Sequence, residues 1–251
     1  MSPKSLTALL LPLVMSSSAA AASLEHVDAV GRWLTEKTLQ AAREGRPIAL
    51  LKEKADPAPS DQLITVDSLD APDEVKAALK ARFERAARGV VAVPAGSIPA
   101  LATLMDQVPR TWRSDAQLRQ RLPTPPSDLG NSLLGAARLL GMEPSGARDG
   151  LRSSGLTRYF QLDEVGIVEF DEVSGSARAG VCSTFAEANN TEVSGQPAFL
   201  QMTADPHGRN RVELYWDRGA KSYSLVAVGD QRHDVHRTAQ VLRAIAANVV
   251  D

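Results

Sequence analysis

The chain has 251 residues, 43% of them apolar and 23% charged, with a formal charge of −2. That length suffices for one large domain or two small ones. The near-neutral charge, with Lys and Arg spread along the chain, excludes a general nucleic-acid binder and a polybasic membrane-surface protein. The single cysteine, Cys182, excludes an internal disulfide framework.

Residues 1–22 have the layout of a secretory signal peptide. Lys4 precedes an apolar run over 6–15, followed by Ser16, Ser17 and Ser18 and an alanine-rich cleavage site near Ala22. The run is roughly half the length that a spanning helix needs, so no stable membrane insertion is expected after cleavage. No cysteine stands at the junction to accept a lipid. Export combined with one cysteine fits a periplasmic (or secreted) protein.

The first unit expected is a small α/β region over 23–108. Leu24, Val27, Val30 and Leu34 keep helical spacing over 24–44, and Gly45 stops the helix. Residues 63–66 predict a strand. Asp70 is the expected N-cap of a helix whose stripe is Val75, Leu79, Phe83 and Ala86. Residues 90–93 predict a second strand, parallel to the first, and 98–108 a short helix with Ser97 at its start. A Pro-rich linker over 109–128 then holds four prolines, and separates this unit from the rest.

Residues 129–251 predict an antiparallel sheet with flanking helices. A helix is expected over 129–140, followed by strands at 156–162, 166–173, 179–186, 198–203, 211–216 and 222–228. The sequence Asp217, Arg218, Gly219, Ala220 is the clearest hairpin turn. An amphipathic helix over 231–249 closes the chain, with Asp230 as its expected N-cap. The expected fold is α+β, an N-terminal small α/β unit followed by an antiparallel meander sheet packed by a C-terminal helix.

No motif fixes a reaction, and no catalytic residue or cofactor is assigned. His233 and His236 stand three apart at the start of the last helix, where they would share a face. With His207 they form a candidate metal set, against the alternative of solvated polar residues. Ser97 is a candidate nucleophile at a strand-to-helix junction, against a plain N-cap. Cys182 is a candidate thiol, against a small buried apolar side chain. Asp163, Glu164, Glu169, Asp171 and Glu172 form the densest acidic run. Alternation puts Glu169 and Asp171 on one strand face, as a docking surface for a basic partner, an acid/base pair or a solvated face. Alternation also pairs Glu213 with Tyr215, turned away from Trp216, so Tyr215 is expected at the surface.

The functional expectation is a periplasmic protein that binds, and inhibits or neutralises, a protein partner in the cell envelope. The partner-binding residues would be Glu169, Asp171, Glu213 and Tyr215. An envelope accessory protein or chaperone, and a metal-dependent or serine hydrolase, are the alternatives.

Overall fold

The computed structural model describes residues 29–45, 50, 63–109, 115–149, 152–174 and 185–250. The signal-like leader, Cys182 and most of the strand expected at 179–186 lie outside these residues. Helix α1 spans Ala29–Glu44, and buries Val30, Trp33 and Ala41. Helix α2 spans Asp73–Ala87. Asp73 and Glu74 occupy its first turn, where carboxylates favour the helix dipole, and Val75, Leu79, Phe83 and Ala86 are buried. Pro72, rather than Asp70, occupies its N-cap position. Gly89 ends the helix with φ of +123°, which side-chain-bearing residues rarely adopt.

Strand β1 (Val90–Ala92) follows, then two seven-residue helices, α3 (Leu101–Gln107) and α4 (Asp115–Arg121). The remainder is β2 (Arg138–Asp149), β3 (Arg152–Leu162), β4 (Gly166–Ser174), β5 (Thr191–Val193), β6 (Gln196–Ala204), β7 (Asn210–Arg218), β8 (Lys221–Gly229) and helix α5 (Val235–Ala247).

All eight strands form one sheet in the order β1, β6, β7, β8, β4, β3, β2, with β5 also paired to β6. Among these strands of the described residues, β1 pairs with β6 in parallel, with Val90 opposite Met202, and the other strand pairings are antiparallel. The α+β class and the C-terminal helix on a mostly antiparallel sheet are as expected. Two local expectations are corrected. The strand at 90–93 pairs with β6 and not with 63–66, where Ile64 forms a lone parallel bridge to Phe185. The helix expected over 129–140 is a 3-10 turn, Leu133–Gly135, that leads into β2. Gly130 and Gly135 weaken a helix over this span, and the pairing of β2 with β3 claims the chain from Arg138 onward.

Pleating gives the sheet two faces. One carries Phe160, Val168, Phe170, Val212, Leu214, Trp216, Leu225 and Ala227 under Ala239, Leu242, Ile245 and Ala246 of α5. The other carries Phe199 and Tyr215 under Trp33 of α1 and Leu79 and Phe83 of α2. Further along this second face, α3 lies against β4. The chain then passes over Gly141 of β2 so closely that any Cβ there would collide with the Pro109 carbonyl. Helix α4 completes a small cluster in which Leu118 meets Met142 and Leu156. Among the described residues, no helix is long and apolar enough to cross a membrane.

Candidate functional site

The acidic run is divided by the pleat. Asp163 and Glu164 sit exposed at the β3–β4 turn, where Glu164 meets Arg237 of α5 at 3.2 Å. Glu169 and Asp171 share the α2 face, as alternation requires, and are half-buried. Glu172 points to the α5 face and is buried.

On the α2 face, Glu169 lies opposite Tyr159 of β3 and Val226 of β8. Its neighbours are tied to one another. Tyr159 donates its hydroxyl to Glu143 Oε1 at 2.7 Å, and Thr157 donates to Asp171 Oδ1 at 2.6 Å. Glu213 of β7 meets Arg211 at 2.5 Å and Arg82 of α2 at 3.8 Å. Arg82 also donates to Gln201 at 3.0 Å.

This crowding moves proton affinities. Burial, and then the charge of Asp171, push the Glu169 carboxyl up to about 7, against the opposing pull of Arg211. Burial raises Asp171 as well, opposed by the hydrogen bond from Thr157. The Tyr159 phenol rises through burial and the negative field of Glu169. Carboxyls with raised proton affinity beside a phenol are groups that can exchange protons.

Two expected surface residues are corrected. Tyr215 is 7% exposed and stacks on Phe199, ring centroids 6.1 Å apart. Glu213 is equally buried. The alternation of β7 is as expected, but the face opposite Trp216 is a second core under α1 and α2 rather than solvent. With α2 and α3 on it, this sheet face is not an open docking plane.

The histidines do not converge. His207 is exposed in the β6–β7 turn, its backbone N–H donating to Asp205 Oδ1 at 2.9 Å. His233 Nδ1 lies 2.8 Å from Asp230 Oδ1, while His236 is exposed in the first turn of α5. The helix starts at Val235, so His233 precedes it and the i, i+3 geometry that would align the pair is not formed. Among the described residues, no group of three or more His, Cys, Asp or Glu is placed to hold a metal ion. Ser97 is exposed in the loop before α3, and Ala100, not Ser97, occupies that helix's N-cap position.

A second polar cluster, on the α5 face, was not anticipated. Arg158 Nη2 meets Glu172 Oε1 at 2.7 Å, and Lys221 Nζ lies 3.5 Å from Glu172 Oε2. All three side chains are nearly sealed from water. Arg158 sits over the Phe170 ring at 5.1 Å, and Tyr223 stacks against Trp216 at 5.0 Å. The sequence did hold a signal: Arg158 alternates in step with Leu156 and Phe160, which marks a charge on an inward face. Desolvation pulls the Arg158 guanidinium below its usual proton affinity, and the charge of Glu172 opposes this.

Comparison with protein-family models, curated proteins and solved structures gives no match.

Proposed function

We propose that the protein is exported and acts by binding a protein partner in the cell envelope, in the manner of an inhibitor or immunity protein. The observation that supports this is the inward turn of its chemistry. Glu143 and Tyr159, Thr157 and Asp171, and Glu213 with Arg211 and Arg82 answer one another inside the sheet. Such groups serve as scaffold, and contact then falls to surfaces away from this covered sheet face. Export rests on Lys4, the apolar run and the small residues up to Ala22.

Two measurements test the reading. A fusion of residues 1–40 to a reporter enzyme that works only outside the cytoplasm should be active, and inactivity would remove export. Residues 23–251 with a C-terminal tag should capture one stoichiometric partner from an envelope fraction and lower that partner's activity. Capture of many unrelated proteins would favour the chaperone alternative. Hydrolytic turnover by the purified chain, without any partner, would overturn the binding role.

A further inference from the structure

Residues 123–128 cross the end of the sheet without joining its ladder. Pro125 and Pro126 have no N–H to give. Side chains seat the segment up to Ser127, and Asp128 closes it with a lone antiparallel bridge to Val250. Lys221 Nζ donates to the Pro125 carbonyl at 3.0 Å and to Ser127 Oγ at 2.9 Å. Arg158 Nη2 donates to the Ser127 carbonyl at 3.1 Å, and the Ser127 N–H donates to Glu172 Oε2 at 2.8 Å. Ser127 Oγ also pairs with the Tyr223 hydroxyl at 3.0 Å, and Thr124 Oγ1 with Ser174 Oγ at 2.5 Å. The cleft between the segment and the sheet, lined by Thr124, Pro125, Leu156 and Ser174, leaves only about 10 Å³ free.

This is the pattern by which receptors read peptides. The proline-stiffened backbone lies near an aromatic group formed by Phe170, Trp216 and Tyr223, with its carbonyls, amide and hydroxyl met by buried charged donors and acceptors. We propose that the end of the sheet is a peptide-recognition groove filled in cis by residues 123–128, and that an extended partner segment carrying Pro-Pro followed by Ser or Thr exchanges with it. The source of that segment rests on the partner-binding reading; the groove does not.

The energetics favour opening. Arg158, Glu172 and Lys221 give up hydration beneath the segment, so its hydrogen bonds return only the excess over that cost. Opening restores water to three charges, breaks the Asp128–Val250 bridge and leaves the pairings among β1 to β8 intact. Such a segment opens locally, below the cost of global unfolding.

The test uses the full chain and the synthetic peptide LPTPPSDL, the sequence of residues 122–129. In a variant with Pro125→Gly, Pro126→Gly and Ser127→Gly, the cis segment is weakened while the groove is kept. The peptide should bind this variant saturably, and at least about tenfold tighter than wild type, where a tethered competitor acts at roughly millimolar effective concentration. A peptide with Ser replaced by Ala should bind more weakly. A folded variant that shows no saturable binding up to about 1 mM would overturn the proposal. Should the variant fail to fold, hydrogen exchange on wild type decides. The Ser127 amide is expected to exchange through a cheaper opening than the amides of β4 and β8, and exchange only together with them would overturn the proposal. A wild-type chain that captures its partner while the groove fails these tests would separate this inference from the binding role itself.

Discussion

Phe83 of α2 meets Phe199 of β6 edge to face, with ring centroids 5.5 Å apart and planes at 76°. Phe185 joins them at 5.7 Å from Phe83, so three aromatic rings from distant parts of the chain share one contact. Phe83 is 2% exposed. Phe83→Ala should cost about 3–5 kcal/mol. If α2 and the sheet share this core, urea unfolding followed by tryptophan fluorescence and by far-UV circular dichroism will give coincident transitions, both shifted to lower urea. A loss confined to one of two separable transitions would show that the helical region folds on its own.

Glu172 is the common counter-charge for Arg158 and Lys221, with side-chain exposures of 5%, 13% and 10% respectively. Glu172→Ala leaves two buried cations with no carboxylate and removes the acceptor of the Ser127 amide. Breaking a buried ionic group in this way should cost about 3–5 kcal/mol. Glu164→Ala removes only an exposed pairing with Arg237 and should cost under about 1 kcal/mol. Chemical denaturation of the two variants measures the contrast directly, and equal losses would contradict it.

Much of the second half of the fold was legible because strands written with period two leave a strong signal. Glu169, Phe170 and Asp171 alternate faces as read, and the strands expected at 156–162, 166–173, 198–203, 211–216 and 222–228 match β3, β4, β6, β7 and β8 to within a few residues. The described end of the strand expected at 179–186 is instead a lone bridge at Phe185 and a 3-10 turn from Ala186. The misreadings share a cause, which is that local patterns do not report what covers a surface. Tyr215 lies on the polar side of its strand, yet α1 and α2 cover that side. The sequence around Leu133, Leu134 and Leu140 supports a helix as well as a strand over so short a span, and pairing with β3 decides the matter. The grip of Lys221 on residues 125 and 127 joins positions about 95 apart, beyond any local pattern.

The start of α5 gives a sharp local test. Asp230 was the expected N-cap, but Asp234 takes the role, its Oδ1 accepting from the Arg237 N–H at 2.7 Å. Asp230 instead binds the exposed Arg232, which holds its carboxyl down at about 2. Asp234→Ala should cost about 1 kcal/mol through the lost cap. Asp230→Ala removes a solvent-facing ion pair and an interaction with His233, and should not unwind the first turn of α5. Amide exchange at Arg237 and Thr238 distinguishes the two: it should accelerate in Asp234→Ala and remain near wild type in Asp230→Ala.

The Glu169 carboxyl sets a pH dependence whose sign follows from its surroundings. Its proton affinity is raised from the ordinary 4.5 to about 7 by burial and by Asp171. The folded chain therefore holds a proton that the unfolded chain has released between these values. Below about pH 4.5 both states are protonated and the group contributes no slope. Between about pH 4.5 and 7, stability falls as pH rises, because folding then requires proton uptake. Above about 7 both states are ionised and the loss is complete, at an upper magnitude of roughly 3 kcal/mol for a shift of this size. Asp171 is shifted in the same direction and adds to the trend from its own lower starting point. Glu169→Gln keeps the shape and removes the charge, so the variant should gain on wild type at pH 8 relative to pH 5. Urea midpoints at the two values measure this. A wild type whose stability rises between pH 5 and 7, with a slope that Glu169→Gln leaves intact, would mean that the carboxyl is solvated in the folded chain and that α3 does not shield it.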